Sequence, residues 1–269
     1  MKYKCYKKYE TDPNKGGDYW RDFDFSEHLK LTEYQTTYKK LIQDYPPPRK
    51  ILEAGCGIGR WIIPLSDKGY NVTGIEIEKA ALEVISQNYS NEKLSLVHGD
   101  IFNMPFKNNS FDIILSLGVL EHFEQNEVQK SAILEHIRVL KDNGILIITV
   151  PYVSLLRLII HVPYVKLLSG IRRLRGEKQY FSEYRYSRNG FKRIIKSTGL
   201  QVSEYFYDEF SGPYDFGLTV DYPIKRFFKN GTSPFLLNKS GLFIKKVIWK
   251  RFKWFSSGGI GFICYKVKS

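Results

Sequence analysis

Glu53, Glu76 and Asp100 each close a short apolar run, and three glycines at alternate positions, Gly55, Gly57 and Gly59, follow the first of them. Acids at strand tips accept hydrogen bonds from hydroxyls and amines and attract cations. Glycines at that spacing admit a turn whose backbone angles a Cβ would block, and they let a ligand come close to the main chain. Glu76 can take both hydroxyls of a ribose at once, which makes it the sharpest binding candidate. Glu78 competes for that role, and it also suits the first turn of a following helix. His122 has the pKa range of a general base for an oxygen nucleophile.

These residues need elements to hold them. Ile51-Leu52-Glu53-Ala54 reads as a buried strand, the glycines as a tight turn, and Trp61, Ile62 and Leu65 as the apolar face of an opening helix. Asn71 to Glu76 reads as a second strand ending in an acid. Strand, glycine turn, helix, strand and acidic tip form a βαβ unit suited to a nucleoside. Leu94 to Val97 is expected as a third strand, ahead of His98-Gly99-Asp100. Phe111 to Ser116 is expected as a fourth, and Ile145 to Val150, closed by Pro151, as a fifth. Leu117 to His122 then lies at the carboxyl end of strand four, where ligands bind in open α/β sheets. Asp112 is expected to be structural, tying its loop to strand four.

A dinucleotide fingerprint requires G-x-G-x-x-G, but the sixth position is Arg60 counted from Gly55 and Ile62 counted from Gly57. The pattern present is E-x-G-x-G-x-G. It resembles motif I of the class I S-adenosylmethionine-dependent methyltransferases. "MPFKNNSFD" before strand four, Leu117 to His122 after it and "VLKDNG" before strand five agree, so the resemblance covers roughly residues 45–207 and the last strand.

It implies a Rossmann-like α/β fold: a seven-stranded, mostly parallel sheet with helices on both faces. It also implies S-adenosyl-L-methionine as cofactor. The cofactor-binding residues it implies are Glu53, Gly55, Gly57, Gly59, Glu76, Ile77, Asp100, Ile101 and Leu117. Glu53 would lie near the methionine moiety and Glu76 on the ribose; Asp100 would face the adenine amine, with Ile101 packed on the ring. Some quinone-type O-methyltransferases hold a metal with E-x-x-E-H, but Gly118 stands where the first Glu would be, so no metal is expected. His122 is the catalytic candidate, although Glu-His also occurs in family members with no catalytic role shown.

The chain has 269 residues and a net charge of +13. Residues 1–150 hold 19 Lys+Arg and 21 Asp+Glu, whereas residues 151–269 hold 22 and 7, so all the excess positive charge (+15) lies in the second part. Such asymmetry suits an anionic partner, or else a solvated basic surface. Cys5, Cys56 and Cys264 form no C-x-x-C pair, which predicts reduced thiols, no zinc site and a cytoplasmic setting. No signal peptide and no spanning segment are read in the sequence.

Four regions are expected. Residues 1–45 form an N-terminal segment and a helix from Glu27 to Asp44 capped by Ser26, with Tyr19, Trp20 and Phe23 either lidding the cofactor or packing on the core edge. Residues 46–152 form the cofactor-binding core, and residues 153–187 an insertion that lids the substrate. Residues 188–269 supply a helix (Arg188 to Thr198), strand six (Gln201 to Tyr207), a basic amphipathic segment and a final strand (Gly261 to Val267) antiparallel to strand six. Tyr184 and Arg185 are candidate substrate contacts. Residues 153–175 and 242–255 mix apolar and basic side chains. They fit either helices packed on the domain or peripheral contact with an anionic membrane.

These features predict methyl transfer to a small or lipid-linked, anionic acceptor, most readily on oxygen. An N-P-P-Y or D-P-P-Y motif is absent after strand four, which argues against N-methylation of DNA bases. The alternatives are an RNA methyltransferase served by the basic half and, in another class, a non-catalytic scaffold that retains the fold. The intact acids and glycines weigh against the scaffold.

Overall fold

A computed structural model describes residues 2–7, 25–178, 180–212, 214 and 236–266. Tyr19, Trp20 and Phe23 lie outside the described residues. Nine strands are described. β1 is Lys2–Lys7, β2 Lys50–Ala54, β3 Asn71–Glu76, β4 Leu94–His98, β5 Phe111–Leu117, β6 Leu140–Pro151, β7 Tyr180–Tyr186, β8 Gln201–Asp208 and β9 Gly259–Tyr265. The described helices are α1 (Phe25–Glu33), α2 (Thr36–Asp44), α3 (Ile62–Asp67), α4 (Lys79–Asn88), α5 (Asn126–Val139), α6 (Val162–Leu174), α7 (Arg188–Lys196), α8 (Lys239–Arg251) and α9 (Lys253–Ser256).

Seven strands form one sheet in the order β4-β3-β2-β5-β6-β9-β8, with β9 antiparallel to both of its neighbours. The expected α/β class and the antiparallel last strand are therefore present. Strand alternation divides the core between the two faces. Leu52, Ala54, Ile114, Leu146 and Ile148 meet Ile133, Phe191 and Ile195 on one side. Ile51, Ile113, Leu115 and Ile147 meet Tyr38, Leu41, Ile62, Leu65 and Ile85 on the other. Asp112 accepts from the Lys50 N–H (2.8 Å) and from Lys141 Nζ (2.7 Å), so it pins the amino ends of β2, β5 and β6 together.

Several boundaries differ from the sequence reading. The single helix Glu27 to Asp44 is two helices that part at Tyr34–Gln35. There Gln35 forms a bridge to Phe210 and the Thr36 N–H donates to the Glu209 carbonyl, so a tertiary contact interrupts the helical pattern. Ser26 lies inside α1 rather than at its cap. Strand five begins earlier, at Leu140, and runs through Pro151; the final strand is Gly259–Tyr265 rather than Gly261 to Val267. In the insertion, a π-helical turn (Arg157–His161) runs directly into α6.

A two-stranded sheet of β1 and β7, paired antiparallel from Lys2↔Tyr186 to Lys7↔Tyr180, went unread in the sequence. Its partners stand about 180 residues apart, beyond the reach of any local pattern. Tyr186 docks it on the core against Phe191, with ring centroids 4.8 Å apart.

Candidate active site

The sheet order reverses between β2 and β5: from β2 the chain winds to β3 and β4 on one side and to β5 and β6 on the other. The carboxyl ends of β2 and β5 therefore flank a crevice at the switch point. The glycine turn closes its floor. Gly55 and Gly57 adopt φ +79 and +51, which L side chains rarely adopt. A Cβ on Gly55 would also sit 2.8 Å from Val119 Cγ2, so the loop after β5 packs directly on this turn. The Gly55 and Cys56 N–H groups donate to the Ile75 carbonyl (2.9 and 3.1 Å), which ties the turn to β3. Cys56 is buried against Gly74, as a small side chain that fits.

Glu76, at the tip of β3, holds the loops around it. Its Oε2 accepts from the Gly57 N–H (2.9 Å), and its Oε1 accepts from the Ile77 and Glu78 N–H groups (2.9 and 3.1 Å). Glu78 is the N-cap residue of α4, while Ile77 stands 60% exposed at the crevice rim. Next to β3, β4 places His98 opposite Glu76 and brings Asp100 two residues beyond it. Asp100 is exposed, and its Oδ1 accepts from the Phe102 N–H at 3.0 Å. Ile101 is buried in the core. Leu117 ends β5, half-buried on the other side of the crevice.

Glu53 is 2% exposed, and its Oε2 has no partner. Burial pushes its carboxyl well up, the Arg60 charge opposes this, and Glu76 adds to it. Arg60 is fixed by Thr32 (Nε to Oγ1, 3.1 Å) and by Gln35, and it stacks on Trp61 and Phe210. A buried carboxyl with one idle oxygen beside a glycine cradle suits a ligand that brings an ammonium group and a cationic sulfur. The residues present thus fit S-adenosyl-L-methionine.

Beyond β5, Gly118 (φ +74) turns the chain into a 3-10 turn, Leu120–His122. Gln129 anchors that turn through its Nε2, which donates to the Leu120 and Phe123 carbonyls (3.0 and 2.8 Å) and to the Tyr186 hydroxyl. His122 Nδ1 lies 2.7 Å from the Ser182 carbonyl of β7. A carbonyl can only accept, so the neutral ring carries its proton on Nδ1 and keeps Nε2 as the basic nitrogen.

Glu121 beside it is 3% exposed with Oε2 unpartnered, and burial pushes its carboxyl up to about 8. The sequence reading left this acid out of the site. Its signal was the Glu-His dipeptide, but nothing local says that an acid at that position will be buried.

Tyr184 packs in the core beneath the Lys2 ammonium, which sits 3.7 Å from the ring centroid. Arg185 pairs with Glu183 at 2.9 Å and donates to Cys5 Sγ. Nothing among the described residues groups three His, Cys, Asp or Glu side chains for a metal. A cleft of about 430 Å³ opens between β1 and α6, with Lys2, Lys4, Lys166 and Arg173 among its lining residues.

A methyltransferase domain model matches residues 52–148. The chain is 39% identical over 105 residues to a demethylmenaquinone methyltransferase of Staphylococcus epidermidis, covering 36% of this chain and 41% of that protein. It is 33% identical over 104 residues to an uncharacterized protein of Haemophilus influenzae, covering 37% and 41%. The matches thus span about two fifths of these curated relatives. Among solved structures, a SAM-dependent methyltransferase from Methanosarcina mazei superimposes with a TM-score of 0.56 at 16% identity, covering 85% of this chain and 98% of that one. A Burkholderia thailandensis 1,6-didemethyltoxoflavin-N1-methyltransferase with bound S-adenosylhomocysteine gives 0.54 at 12% identity, covering 95% and 84%. Residues 52–148, which carry the glycine turn, are thus similar to a methyltransferase domain, and the sheet order and turn are those of the methyltransferase fold.

Proposed function

We propose that the protein binds S-adenosyl-L-methionine in the crevice between β2 and β5. There it transfers the methyl group to an oxygen of a small or lipid-linked, anionic acceptor. The observation that carries this reading is the buried Glu53 carboxyl with its idle Oε2 beside the positive-φ glycine turn that Glu76 holds open.

When bound, the cofactor supplies an electrophilic sulfonium methyl. Glu53 balances positive charge at the methionine end. Glu76, already oriented by three backbone N–H groups, accepts from a ribose hydroxyl at Oε2, the oxygen that takes only one of those donors. Asp100 accepts from the adenine amine, and Ile77, Ile101 and Leu117 supply apolar wall. His122, with Nδ1 committed to the Ser182 carbonyl, takes the acceptor's hydroxyl proton on Nε2. The four cations of the β1–α6 cleft and Arg185 attract the acceptor's anionic group.

The charge of +15 in residues 151–269 also favours a second reading, methylation of RNA. In support, the chain is 30% identical over 112 residues, 42% of its length, to a mouse probable tRNA methyltransferase 9B. The exposed aliphatic side chains of α6 weigh toward a lipid-linked acceptor instead.

Calorimetric titration of S-adenosylmethionine and S-adenosylhomocysteine tests the cofactor reading. Micromolar binding is expected, and its absence in a folded protein would return the chain to the scaffold class. Labelled methyl transfer to an extracted lipid fraction, compared with total RNA, then separates the two acceptors.

A further inference from the structure

Helix α6 turns an apolar stripe to solvent. Tyr164, Leu167, Ile171 and Leu174 are spaced by three, four and three residues, which lays them in one stripe about 80° wide on a helix. Such a stripe ordinarily packs into a core. Here it faces solvent: Leu167 is 64% and Leu174 91% exposed, and no residue of α6 is buried. The opposite side, with Val165, Lys166, Ser169 and Arg173, lines the cleft against β1. The helix thus turns a mixed side, with half-buried Val162, Val165 and Leu168, to the protein and keeps a separate apolar stripe outward.

A second apolar surface springs from the same place. Phe243 and Val247 of α8 are 69% and 53% exposed, and Phe252 and Trp254 about half exposed. The carbonyl of Gly258, just after α9, accepts from the Tyr152 N–H and from Arg157 Nη1, both at 2.9 Å. Both apolar segments are therefore rooted at the carboxyl end of β6, the end of the sheet that carries the candidate active site.

Charge selects what covers them. Residues 153–176 hold five Lys+Arg and no acid, and residues 222–269 hold no acid at all. Exposed apolar side chains bordered mainly by cations suit acyl chains below phosphate headgroups. No described helix is long and apolar enough to cross a membrane, so the fitting geometry is a helix lying flat.

We propose that α6, together with α8 and α9, docks on an anionic phospholipid surface. The Leu167–Ile171–Leu174 stripe enters the acyl boundary, while Arg172 and Arg175 meet the phosphates. Docking deepens the proposed function by bringing a lipid-linked acceptor to the β1–α6 cleft, and it rests on that reading only for this last step.

The test is co-sedimentation with vesicles of phosphatidylcholine alone or mixed with phosphatidylglycerol. Wild type is expected to bind the mixed vesicles at least about tenfold more tightly than the neutral ones. Leu167→Glu with Ile171→Glu should lose tenfold or more. Arg172→Glu with Arg175→Glu should lose about fivefold per residue, with a weaker salt dependence. All these side chains are exposed or on the rim, so the variants should melt like wild type and bind S-adenosylhomocysteine unchanged. That readout keeps docking separate from the cofactor site. Wild type left in the supernatant with anionic vesicles would overturn the proposal. So would the Leu167/Ile171 variant pelleting like wild type, or the protein retaining RNA or dimerising through the stripe without vesicle binding.

Discussion

The Glu76 carboxylate and the Gly57 N–H are joined by a 2.9 Å hydrogen bond, which holds the glycine turn to the tip of β3. The acid expected to bind the ribose thus also shapes the loop beneath it. Both duties use one carboxylate, because three backbone donors leave one of its about four lone-pair sites, on Oε2, for a ligand hydroxyl.

Glu76→Ala is expected to weaken S-adenosylhomocysteine binding about tenfold or more, the loss of one charge-assisted hydrogen bond. It should also lower the melting temperature by releasing the turn. Calorimetry and melting read the two effects separately. An unchanged affinity would mean that the carboxylate serves the loop alone.

Gly55→Ala is expected to lose about 1–3 kcal/mol of stability and most cofactor binding, because an L side chain is strained at φ +79 and its Cβ would meet Val119 at 2.8 Å. Pairing it with Val119→Ala removes the clash and leaves the backbone strain. Recovery in the double variant, followed by denaturant titration, should therefore be partial.

His122→Asn keeps a donor for the Ser182 carbonyl but has no basic nitrogen. With the acceptor in hand, kcat should fall about 10²–10⁴-fold while cofactor affinity holds. An unchanged kcat would return His122 to a purely structural role at the β7 contact.

Glu121 is held protonated by burial, with its pKa raised from 4.5 to about 8. Above pH 4.5 the unfolded chain releases this proton while the folded one keeps it until about pH 8. Folding stability from this group therefore falls as pH rises through that window, by up to about 1.4 kcal/mol per unit, and levels off above it. His136, buried and lowered to about 4, contributes the opposite slope between about pH 4 and 6.5. The comparison that isolates Glu121 is Glu121→Gln against wild type: the variant should gain relative stability steadily from pH 5 to 8. A constant difference would show Glu121 ionised in the folded protein.

What could be read in the sequence was what local chemistry dictates. Buried parallel strands are continuous apolar runs, so Ile51 to Glu53, Asn71 to Glu76 and Phe111 to Ser116 announced themselves, and Gly55, Gly57 and Gly59 marked a turn open only to glycine. Tertiary structure alone decided the rest. Nothing near Cys5 says that it will pair opposite Glu183, and nothing near Gln35 says that a bridge to Phe210 will split a helix. The spacing from Tyr164 to Leu174 defines a stripe but not whether the stripe faces the core or the solvent. That depends on which side of α6 meets β1, and the cleft takes the side with Val165, Lys166, Ser169 and Arg173. The burial of Glu53 and Glu121 likewise follows from elements that converge on them from distant parts of the chain, because desolvation belongs to the assembled environment and not to the residue.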